Sequence, residues 1–146
     1  MQDPLVVTFD SPHSGSLCVH LVTGAVTATI GASYIPNDFL EELVHALLNV
    51  TLGTGTFSAI ANDEPTVQCV QFESTGRRVD LRVRHGAHQE DVALDYSAKM
   101  SAVVLPFWRA LRRLQHDPAL PEWRRSFPDH EMTLLTAQVE RLKHVV

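Results

Sequence analysis

Residues 38–53 form one amphipathic segment with helical periodicity, set between two groups of strand-like segments. Leu40, Leu43, Val44, Leu47 and Leu48 recur at i, i+3, i+4, i+7 and i+8, which gathers them into a single apolar stripe. Glu41, Glu42, His45 and Asn49 occupy the other side. Asp38 is placed to cap the helix, because its carboxylate can accept from the free amides of the first turn. Glu41, three residues on, fits the second half of a capping box, and Gly53 supplies the stop. A helix with one apolar stripe must bury it, and the flanking segments offer a sheet for it to pack on. Strands and helices do not alternate as βαβ units, which argues against a doubly wound nucleotide-binding fold.

The flanking segments carry period-two patterns. Leu5–Phe9 is rich in β-formers and stops at Asp10-Ser11-Pro12; Leu17–Val22 and Ala25–Ile30 flank Thr23-Gly24 as a hairpin. Beyond the helix, Thr56–Ala61, Thr66–Glu73, Arg77–Arg84 and Val92–Tyr96 read as an antiparallel meander, with turns at Asn62-Asp63-Glu64-Pro65 and Ser74-Thr75-Gly76. The third of these alternates cleanly: Val79, Leu81 and Val83 point to a core, and Arg78, Asp80, Arg82 and Arg84 to water. The remainder is helical. Ser97–Gln115 reads as one helix kinked at Pro106, Asp117–Pro128 as a loop, and a last helix capped by Asp129 buries Met132, Leu135, Val139 and Leu142. The expected architecture is α+β: one antiparallel sheet of about six strands with about three helices packed mainly on one face, residues 1–146 forming a single domain. A hydrophobic content of 45% and a charged content of 20% belong to an ordinary globular chain.

Catalytic patterns are sparse. No serine stands in G-x-S-x-G, and LGTGTF lacks the lysine of a phosphate loop and follows a helix instead of a strand. Cys18 and Cys69 lie inside apolar stretches and read as buried, reduced thiols. The closest histidine pair is His85 and His88, in HGAHQEDVALD; with Glu90, Asp91 or Asp95 they compose a three-ligand zinc site, although the spacing matches no established metal motif. The arginines at 77, 78, 82 and 84, at 109, 112 and 113, and at 124 and 125 read as solvated faces. The sheet lacks the interleaved aromatics of a nucleic-acid platform, and Trp108, Trp123 and Phe127 read as core or helix-packing anchors. The expectation is therefore no cofactor, no resident metal and no nucleic acid.

Charge is the remaining lead. Residues 1–76 contain no Lys or Arg and eight acids, so they carry −8; residues 77–146 hold all 12 basic residues and the other nine acids, which gives +3. Asp38, Glu41 and Glu42 open the helix, and Asp63 and Glu64 lie in a turn. Brought together by the fold, these five would speed association with a basic partner.

The order of features resembles a family of small bacterial proteins similar in layout to the immunity proteins of polymorphic toxin systems. The marks are DFLEELVHALL, the acidic turn NDEP, the alternating RRVDLRVR, the helix FWRALRRL and the segment from Trp123 to Phe127-Pro128, spanning about residues 34–142. The strand TVQCVQF departs from the pattern, because Phe72 is its only aromatic. The resemblance implies a cytoplasmic protein without an active site, whose charged surface blocks a basic, nuclease-like toxin domain. Two other readings stand beside it: a metal-dependent hydrolase using His85 and His88, and a homo-oligomeric subunit, a homodimer for example, joined through its aromatic C-terminal helices. No apolar run is long enough to span a bilayer, and the N-terminus lacks the basic region and the small-residue cleavage site of a signal peptide.

Overall fold

The computed structural model describes residues 2–86 and 91–144. Among these residues seven strands form two antiparallel sheets, which corrects the expected single sheet of about six. The first sheet is the meander β1 (Leu5–Phe9), β2 (Ser16–Thr23) and β3 (Val26–Ser33), and the second is β4 (Gly55–Asp63), β5 (Thr66–Ser74), β6 (Arg78–His85) and β7 (Asp91–Lys99). Helix α1 (Phe39–Leu52) connects them, and α2 (Met100–Gln115), a short 3-10 turn (Leu120–Trp123) and α3 (Asp129–Lys143) complete the chain. The general α+β class holds.

Two side-chain devices keep the sheets apart. Gln68 of β5 is only 8% exposed. Its amide accepts from Gly31 N at 3.3 Å and donates to Thr29 O at 3.2 Å, so it occupies the free edge of β3 as a neighbouring strand would. The edge of β4 is occupied in the same way. Ile60 N donates to Glu42 Oε1 at 2.9 Å, Asn37 Nδ2 donates to Ile60 O at 2.8 Å, and the same Asn37 amide reaches Glu42 Oε2 at 2.7 Å. The two edges that would have joined into one sheet are each satisfied by side chains instead, which meets the demand of buried backbone for partners.

One core runs through the molecule. Alternate residues of every strand point into it, among them Leu5 and Val7, Leu17, Val19 and Leu21, Val79, Leu81 and Val83, and Leu94 and Tyr96. The stripe of α1 enters at Leu40, Leu43, Val44 and Leu47 against β4 and β5, and α3 packs beside it. Helix α2 lies against β1 and the last two strands. It starts three residues later than the periodicity suggests, because Ser97–Lys99 continue β7, and it runs unbroken through Pro106. Asp129 is the first residue of α3, and Pro128 stands at the cap.

Trp123, fully buried, plugs the loop between α2 and α3. Phe107 meets Phe72 edge to face with ring centroids 5.3 Å apart. Trp108 donates from its indole to Thr136 Oγ1 at 3.0 Å and is covered by the Lys143 ammonium. The aromatic residues of the C-terminal helices are thus spent largely inside the molecule.

Candidate functional site

The chain turns sharply between β3 and α1, and this turn organises the acidic residues. Asp38 is the N-cap of α1, with extended backbone (φ −94°, ψ 95°) and its Oδ1 3.2 Å from Glu41 N. Only this half of the expected capping box is present: the Glu41 carboxylate stays exposed beside the helix start. Asp38, Glu41 and Glu42 line an open groove of about 340 Å3 with Pro36, Asn37, His45 and Arg125. Asp63 and Glu64 line a second groove of about 360 Å3 with Ser33, Ile35 and Pro36. Pro36 is common to both, so the five acids named from the sequence gather on either side of one residue.

Their roles differ. Both oxygens of Glu42 are committed to the β4 edge and to Asn37, which makes it chiefly a structural residue. Asp38 is partly engaged as a cap, while Glu41, Asp63 and Glu64 are exposed. Asp63 folds back over β3, where a Cβ added at Gly31 would lie 2.9 Å from its Oδ2; a larger residue there would push the carboxylate aside.

Three further residues belong to this surface: Ile35 and Glu131, which were not singled out from the sequence, and Arg125, which was read there only as part of a solvated basic face. Ile35 is 54% exposed and forms an apolar wall of the second groove. Arg125 enters the first groove from the loop before α3, so the acidic surface does carry a local cation. Its guanidinium donates to Tyr34 O and, at 3.5 Å, to Pro36 O. It thereby braces the turn through backbone carbonyls. Glu131 of α3 adds a carboxylate 3.6 Å from His45 Nε2. A hydrogen bond from its own backbone amide at the helix start, then the His45 contact, holds the Glu131 carboxyl below the usual glutamate range. Sequence distance concealed Arg125 and Glu131; Ile35 gave no signal, being one apolar residue in a loop.

The competing leads are placed as follows. His88 and Glu90 lie outside the described residues. Of the rest of that set, His85 is paired with Asp91 across β6 and β7, while Asp95 stands opposite Arg82 with 3.5 Å between Arg82 Nε and Asp95 Oδ2. Among the described residues no three His, Cys, Asp or Glu side chains come together to hold a metal ion. Cys18 and Cys69 are free, and burial pushes both thiols up, away from the reactive thiolate. On the outer face of the second sheet, Arg82 is shared between Asp80 and Asp95 and Arg84 is bonded to Gln71.

A hydroxyl–imidazole–carboxylate chain, invisible in the sequence, lies on the outer face of the first sheet. His20 Nδ1 is 3.1 Å from Thr29 Oγ1, and its Nε2 is 2.9 Å from Asp10 Oδ2. The trio lines none of the grooves around Pro36.

Among the described residues no helix is long and apolar enough to cross a membrane. Comparison of the chain with protein-family models, with curated proteins and with solved structures returns no match.

Proposed function

We propose that this protein is a non-enzymatic binding protein of the cytoplasm whose acidic surface around Pro36 receives a basic protein partner. The reading extends to an immunity-type inhibitor that covers the nucleic-acid groove of a nuclease-like toxin domain. The observation that carries it is the convergence of Asp38, Glu41, Asp63 and Glu64, from two separate segments, on grooves that share one wall. Such a surface makes the local potential negative, steers a cationic partner and repels an acidic one. Ile35 supplies an apolar anchor among these charges, and a desolvated centre ringed by polar groups is the usual anatomy of a protein interface. The bracing of the turn by Arg125 and Asn37 keeps the surface preorganised, which lowers the ordering cost of association.

The test is binding to the protein encoded beside this one, or to the basic protein recovered with it from its native cell. Reversing Glu41 and Glu64 to lysine should weaken the complex by about tenfold or more, whereas reversing Arg112 and Arg141 on the C-terminal helices should leave it unchanged. Equal affinity of all three proteins would reject the acidic surface as the contact.

A further inference from the structure

A third groove, of different chemistry, opens where β1, β7 and α2 meet. Its volume is about 360 Å3, and it is lined by Pro4, Leu5, Tyr96, Lys99, Ser101, Ala102, Leu105, Pro106 and Arg109. The floor is apolar: Leu5 is buried, and Ala102, Leu105 and Pro106 are half-buried. The rim is cationic, because Lys99 and Arg109 are exposed and neither forms an ion pair among the described residues.

Two polar groups without a partner accompany this floor. Tyr96 is only 4% exposed, yet its hydroxyl makes no hydrogen bond among the described residues. Pro106 has no N–H, so the carbonyl of Ala102 lacks its ordinary helical donor on the groove wall. β1 is an edge strand paired only with β2, and Asp10 N donates to Cys18 O at the end of that ladder. Counting back from that bond by the alternation of antiparallel pairs, the N–H and C=O of Leu5 face away from β2, but Leu5 is only 4% exposed, so this stretch of the edge is largely covered.

We propose that this groove docks an extended segment of a partner protein that carries an apolar residue flanked by carboxylates. The apolar side chain lies on Leu5, Leu105 and Pro106. The carboxylates meet Lys99 and Arg109 and accept from the Tyr96 hydroxyl, and a backbone amide of the segment pairs with the open carbonyl of Ala102. Charge complementarity selects an acidic occupant, and the apolar floor beside the two cations selects a segment carrying both an apolar side chain and carboxylates over an isolated carboxylate. The surface is distinct in position and opposite in sign from the one around Pro36, so this inference does not rest on that reading.

The probe is a short labelled peptide alternating glutamate and leucine, with a lysine–leucine peptide as control, followed by fluorescence anisotropy on the full chain. The glutamate peptide should bind, and the double variant Lys99→Glu, Arg109→Glu should weaken it by about tenfold or more. Tyr96→Phe, which keeps the ring in the core, should weaken it by a smaller factor. Amide shifts at Leu5 and Ala102 on titration locate the peptide. Reversal of Glu41 and Glu64 should leave this binding intact, which separates it from failure of the acidic surface. Equal binding of the lysine peptide, indifference to the double reversal, or occupancy of the groove by a second copy of the free protein in solution would overturn the proposal.

Discussion

Adjacent glutamates in α1 do unlike work. Glu41 projects into the groove at the helix start, while Glu42 supplies both oxygens to the β4 edge and Asn37. Removing the acceptor leaves Ile60 N–H unpaired in a half-buried position, so Glu42→Ala should cost about 1–3 kcal/mol in urea unfolding. Glu41→Ala should stay within about 0.5 kcal/mol, since it touches no buried partner. The two residues look alike in the sequence, because the difference lies in a strand edge 18 residues away.

Acid sensitivity is also set by single carboxyls. Asp117 accepts from Ala119 N at 2.8 Å and from Ser11 Oγ at 2.7 Å, and these bonds, the backbone one foremost, hold its carboxyl below the usual aspartate range. Glu131 is lowered as well. A carboxyl depressed in the folded state contributes stability above its unfolded pKa, and that contribution is lost as pH falls through the folded value. Stability should therefore drop below the ordinary carboxylate range, and Asp117→Asn should flatten that part of the profile in thermal melts across pH.

At the level of elements, period and punctuation carried much of the fold. β1 appears at Leu5–Phe9 as read, and the capped helix begins after Asp38. The positive φ of Gly24 (58°) makes the β2–β3 turn. What periodicity could not convey is which edges meet. Alternation distinguishes a core face from a wet face, but the division into two sheets depends on Gln68, Asn37 and Glu42 acting as surrogate strands. A glutamine in TVQCVQF carries no mark of that role. Gln68→Leu keeps the bulk and deletes the amide, leaving Gly31 N–H and Thr29 C=O without it. Stability should fall by about 1–3 kcal/mol, and the Gly31 amide should exchange with solvent faster than in the parent protein.

Over the whole molecule, the division of charge along the sequence is not a division in space. Arg125 from the basic half braces the acidic turn, and Glu131 joins it from α3, while the arginines of β6 pair with nearby acids and Gln71. The acids that line the two grooves around Pro36 nonetheless all come from the first half, so the sequence marked those acids but not Ile35, Glu131 or the brace. The central claim is that this surface steers a basic partner, and steering is read in association rates. Stopped-flow association with that partner, followed from low to high salt, tests it directly. The unmodified protein should associate rapidly at low salt and slow steeply as salt rises. The variant with Asp38, Glu41, Asp63 and Glu64 reversed to lysine should be about tenfold or more slower at low salt and should not slow further as salt is added. Identical rates and identical salt dependence for the two proteins would contradict the account.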